Sequence, residues 1–174
     1  MTIDGTVTRY DSRWNMSSSW VGQPSPRLDA LWDELTPPIP RIRLTHNEML
    51  WAGYDIHDAL LLDDGDHTAI LNVHHQLHCL NAIRKMTYID YYTALGQHES
   101  HALAKNHVDH CIEMLRQSLI CYADISVMPY IKDGEGHVRP DFDVAMQCRD
   151  YDRIVKWNWE NIDRRPLPAP VSDE

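Results

Sequence analysis

The pattern His-x-x-His-Cys occurs twice, as His75-Gln76-Leu77-His78-Cys79 and as His107-Val108-Asp109-His110-Cys111. Both copies lie in stretches with helical periodicity. Leu77, Leu80, Ala82 and Ile83 recur within about 73–86, and Val108, Ile112, Leu115 and Leu119 form one face within about 102–123. Positions i, i+3 and i+4 share a helix face, so each copy projects two imidazoles and a thiol the same way. Imidazole suits zinc, copper, iron and nickel, and i, i+3 pairs on facing helices are one way to build a metal site in a bundle. A lone histidine is more often a hydrogen-bonded core or surface residue; two copies of one five-residue pattern reverse that balance. His75, His78, His107 and His110 are therefore the candidate metal ligands and catalytic residues. His46, His57, His67, His74, His98, His101 and His137 keep the plain reading. Among them His74 is best placed to support the ligands, although it is turned ~100° from His75 around the helix.

If the chain turns back between about Thr87 and His101, the two helices form an antiparallel hairpin with His78 and His110 at nearly one level. Cys79, Cys111, Cys121 and Cys148 suit free core thiols, metal ligands or two disulfides. Cys111 and Cys121 lie ~15 Å apart along one helix, beyond the ~7 Å between Cα atoms that a disulfide spans. That leaves 79–111 with 121–148, or 79–121 with 111–148, and hairpin level leans toward the first. Disulfides would imply an oxidising compartment.

The remaining sequence frames this pair. The expected fold is mainly α: one helical domain, a central antiparallel helix pair carrying the motifs, and short strands near 41–45 and 68–73. A length of 174 residues suits a single core. The domain is expected over 28–162, after a flexible loop-like segment 1–27 rich in Ser, Asp and Gly and before a flexible Pro-rich tail 163–174. A short amphipathic helix from Leu28 to Leu35 stops at Thr36-Pro37-Pro38-Ile39-Pro40, and a last helix spans about 150–161. The formal charge of -10, with no basic stripe, excludes nucleic acid as a partner. No stretch reaches the ~18 apolar residues of a membrane span, so the chain as given reads as soluble. Asn15-Met16-Ser17 is a glycosylation sequon, a weak pointer to a secretory route. Trp51, Tyr54, Tyr130 and Trp157 are candidate pocket-lining aromatics.

The runs NVHHQLHCLNAIRK, HVDHCIEMLRQSLICYADIS and CRDYDRIVKW, preceded by PPIPRIRLTHNEMLWAGYDIHDALL, resemble the fungal UstYa-like oxidases of mycotoxin biosynthesis, over roughly residues 24–160. The resemblance implies oxidation of a small-molecule or peptide natural product by cyclisation, hydroxylation, desaturation or halogenation. It implies copper, one or two ions, held by His75, His78, His107 and His110, and it makes Cys79, Cys111, Cys121 and Cys148 disulfide partners. It also implies a secretory-lumen location of ER/Golgi type, membrane anchoring of full-length family members, and homo- or hetero-oligomers among related members. Asp124 and the Arg149-Asp150 pair match recurrent positions, for which salt bridges or caps are the expected roles. Two features depart from the family pattern: no N-terminal anchor is evident, and Met146 stands where a histidine is expected two residues before the last cysteine. The alternatives to a copper oxidase are a structural zinc module and a metal-free partner subunit of another biosynthetic oxidase.

Overall fold

The computed structural model describes residues 5–13, 16–36, 40–54, 57, 59–97, 101–132, 134–165 and 167, with 101–104 as backbone only. In chain order the elements are β1 (Gly5–Asp11), α1 (Pro26–Leu35), β2 (Arg41–Leu44), α2 (His46–Trp51), β3 (His67–Ile70), α3 (Asn72–Met86), α4 (Ile89–Ala94), α5 (His101–Tyr122), β4 (Tyr130–Lys132), β5 (Val138–Pro140), β6 (Asp143–Arg149) and α6 (Tyr151–Glu160). The described residues are mainly helical, with three two-stranded antiparallel sheets: β1–β6, β2–β3 and β4–β5. No described helix is long and apolar enough to cross a membrane.

Local chemistry accounts for the helix ends. Ser25 caps α1 by accepting from the Leu28 amide at 3.2 Å, and Pro26 pre-sets the first turn. Thr45 and Glu48 form a reciprocal capping box on α2, a Thr-x-x-Glu signal that hydrophobic periodicity does not reveal. Asp150 caps α6 by accepting from the Arg153 amide at 3.0 Å, the role expected of it. Asp124 accepts from both the amide and the hydroxyl of Ser126, which makes it a turn former.

α3 packs along α5. Cys79 and Cys111 are fully buried in the seam, and the Gln76 amide donates to the Ser118 hydroxyl at 2.8 Å. The covered face of α5 is turned partly away from the one expected from its apolar spacing. Ile112 and Leu119 are 51% and 74% exposed. Val108 and Leu115 of that face are half-buried, and with His107, Cys111, Met114 and Ser118 they make up the covered side.

The start of the chain also corrects an expectation. Residues 5–11, expected as loop, form β1 and pair with β6 from Gly5↔Arg149 to Asp11↔Asp143. Alternation in GTVTRYD is too polar to stand out, and the pairing that orders it comes from the far end of the sequence. At the start of the expected tail, Arg165 donates to Asp163 and to Asp64. Asp163 in turn donates its amide to the Arg41 carbonyl at 2.7 Å, which ties this segment to β2. Residues 168–174 and Asn15 of the sequon lie outside the described residues.

A polar hub ties α1, α3 and α4 together. The Arg84 guanidinium donates to Asn81, to the Tyr92 hydroxyl and to Asp29, each at 2.8 Å, and Tyr92 donates to Asp29 at 2.6 Å. The same guanidinium lies 5.4 Å from the Trp32 ring centroid. Burial pushes the Asp29 carboxyl up, but hydrogen bonds from Tyr92 and Arg84, with the Arg84 charge, bring it below the usual range. Arg84→Leu leaves that carboxylate without its cation, and denaturant unfolding should show a loss of about 3 kcal/mol. Because the folded carboxyl is lowered, its contribution is complete above the unfolded value of about 3.9. It disappears as pH falls through the folded value. Asp29→Asn should therefore flatten the acid limb of a stability–pH curve.

Candidate metal centre

The two motifs place their imidazoles in one double row, two facing pairs a helical turn apart. His75 and His78 project from α3, His107 and His110 from α5. His110 faces His75 with ring centroids 5.6 Å apart, His75 stacks on His78 at 6.3 Å, and His78 stacks on His107 at 5.6 Å. Order along α3 thus runs opposite to order along α5. The level match differs from the expected His78–His110 pairing by about one turn. The connection is not a symmetric loop: α4 folds back on α3 and takes up chain on that side.

Beneath the row lie the thiols. The Cys79 sulfur is 3.9 Å from His75 Nε2, and the ligand atoms of His75, Cys79 and His110 all fall within 4.8 Å of one another. Two donors on one ion, with bonds of about 2.0–2.3 Å, sit roughly 3–4 Å apart, so modest side-chain rotation brings this set to coordinating distance. Imidazoles sharing an ion have centroids roughly 4.5–6.5 Å apart by the same bond lengths, and the row meets that spacing. The donor set fits a borderline-to-soft transition metal.

The electrostatics keep the nitrogens of the two α3 imidazoles available. Burial, then the positive charges of His110 and His107, lowers His75; burial, then His107, His75 and Lys85, lowers His78. Neutral imidazole is the form that binds metal. Cys111 is pushed up to about 12, by burial first and then by its hydrogen bond with Cys79. All four cysteines are free thiols in the structure, Cys121 exposed and Cys148 half-buried.

A cavity of about 290 Å³ opens at the His78–His107 end, and Asp33, Asn81, Lys85 and Met86 are among its other lining residues. Sequence reasoning does not single these out, although Asn81 and Lys85 follow His78 by three and seven positions, the spacing of one helix face. Of the four candidate aromatics, Trp51, Tyr54 and Tyr130 are 92%, 63% and 73% exposed, and only Trp157 lines a described cavity, a separate one of about 610 Å³. Trp51 ends α2 with its ring in solvent, so its apolar character has no local cavity to fill. His74 is buried, and it lines a cavity that includes none of the four histidines. Met146 sits in β6 opposite Thr8. Arg149 lays its guanidinium 5.5 Å from the Tyr122 ring centroid.

Comparison with known proteins decides the family. The model of the mycotoxin biosynthesis protein UstYa matches residues 2–161. The chain belongs to the UstYa family. It is similar to the UstYa family oxidase aprY of Aspergillus flavus, 32% identical over 84% of this chain and 49% of that one. It is similar to the UstYa family oxidase phomYc of Diaporthe leptostromiformis, 31% identical over 80% and 58%. More distantly it resembles the chlorinase cctP2 of Talaromyces islandicus, 26% identical over 74% and 39%. The chain spans about half the length of the curated relatives it matches. No solved structure gives a significant match. The UstYa assignment agrees with the resemblance drawn from the paired motifs and makes this a fungal biosynthesis protein.

The burial pattern of the thiols is directly checkable. In native, reduced protein at pH 8, iodoacetamide should label Cys121 and spare Cys79 and Cys111, with all four labelled after unfolding. Peptide mass spectrometry reads the difference, and rapid native labelling of Cys111 would contradict the buried seam.

Proposed function

We propose that this chain is a copper-dependent oxidoreductase that uses dioxygen to oxidise a small-molecule or peptide natural product. The observation that carries the reading is the row of four imidazoles, two from each helix, above a pair of buried thiols. The names of the oxidase relatives support the same class. His75, His78, His107 and His110 would hold the metal; bound copper would supply one-electron redox chemistry and an open position for dioxygen. The seam excludes water from one side of the row. The cavity beside His78 and His107 leaves the other end open to a substrate. Lys85 and Asn81 there can orient a polar group, and Met86 offers an apolar contact.

Cyclisation, hydroxylation, desaturation and halogenation remain the reaction classes; the chlorinase relative is the observation that favours keeping halogenation among them. In an oxidising secretory lumen, Cys79 and Cys111 would close a disulfide behind the row, protecting both sulfurs from the oxidising chemistry. Cys121 and Cys148 would form the second bridge. A structural zinc module is the second reading, favoured by the tight His75–Cys79–His110 grouping.

Metal analysis and electron paramagnetic resonance on copper-supplemented protein separate these readings. We expect stoichiometric copper with a Cu(II) signal, reduced at least tenfold in both His75→Ala and His110→Ala. Zinc in place of copper, or copper retained by both variants, would reject the redox centre.

A further inference from the structure

The cavity of about 610 Å³ lies between the start of α3, the end of α5, β6 and α6, and none of the four motif histidines lines it. Tyr151, Ile154 and Trp157 follow at three-residue steps along α6, so one face of that helix forms an aromatic and apolar wall. On β6, Gln147 and Arg149 are two residues apart and share one side of the strand. In the described lining Arg149 is the single charged residue, and no carboxylate accompanies it.

Arg149 is held in place without being neutralised. Its guanidinium lies over the Tyr122 ring, 5.5 Å from the centroid, and Tyr122 lines the same cavity. Stacking uses a face of the planar group and leaves its N–H edges open. Among the described residues no carboxylate pairs with it and no acceptor takes its donors. Arg43 and Arg84, by contrast, are each paired with an aspartate. Asp150, the next residue in the chain, turns its carboxylate to the Arg153 amide instead. An oriented, unpaired cation beside an apolar wall calls for a ligand that is apolar at one end and anionic at the other.

We propose that this cavity binds a small aryl carboxylate, with the ring against Tyr151, Ile154 and Trp157 and the carboxylate paired with Arg149. Gln147, on the same side of β6, can donate its carboxamide N–H to the same oxygens. The planar fork of arginine matches a carboxylate in a way that a neutral amide does not reproduce. The volume is in the range of small-molecule sites. The site shares no lining residue with the cavity beside His78 and His107, and the proposal does not rest on the copper reading. Water on the guanidinium edge is the competing occupant.

Titration calorimetry on the full chain with phenylpropionate, its neutral amide and propionate tests this. Phenylpropionate should bind about tenfold tighter than the amide, the factor expected of a charge-assisted pair. Propionate, which lacks the ring, should be weaker than phenylpropionate by a similar factor. Arg149→Gln, at an exposed position, should bring the acid/amide ratio close to one while the amide still binds, which also shows that the variant is folded. Trp157→Ala should weaken acid and amide alike and keep their ratio. Equal affinities for acid and amide in the unmodified protein would overturn the proposal. So would an acid preference that survives Arg149→Gln, or no phenylpropionate binding, which assigns the guanidinium edge to water.

Discussion

The close approach of α3 and α5 is the constraint on which the rest depends. The spacing between packed helices is set by the side chains at the contact, and here two small thiols, both fully buried, occupy it. A larger residue at Cys79 or Cys111 would push the axes apart and separate His75 from His110. The buried thiols and the imidazole row are therefore one device. The i, i+4 step from His75 to Cys79 puts the spacer directly under the ligand it positions.

Much of this is legible in the residues. Periodicity and prolines point to α1, α3, α5 and α6, alternation of charged and apolar residues points to β2, and a short apolar run points to β3, each within a few residues of its observed place. The motif pair on two helices is readable because three- and four-residue steps are a local property. What escapes a sequence reading is non-local. Which face of α5 meets α3 depends on the partner, so apolar spacing wrongly selects Ile112 and Leu119. The level of His78 depends on how α4 absorbs the connection. The β1–β6 ribbon joins segments whose local sequences carry little strand signal. Asp33, on α1, becomes a neighbour of the row only through tertiary packing.

The hub around Arg84 shows how polar groups are built into the interior without leaving charge unpaired. Its guanidinium is 10% exposed and its carboxylate partner 17%. Tyr92, fully buried, closes the circuit. Asn81 belongs to this hub and also lines the cavity beside His78, so the hub fixes one wall of the site.

The ribbon that closes the molecule has a kinetic consequence. Arg9 and Asp143 stand 134 positions apart yet share a hydrogen bond and an ion pair. Gln76 and Ser118 are 42 apart. Contacts between nearer residues cost less chain entropy to close and form sooner. During synthesis β1 emerges before the helix pair and waits through the 134 positions that separate Arg9 from Asp143 before β6 exists. Through that interval its edge is unpaired, with Val7 and Tyr10 on an open strand. The helix pair can assemble early, while the β1–β6 ribbon closes only after it, so the exposed β1 edge is open to wrong pairing for longer than any contact within the pair.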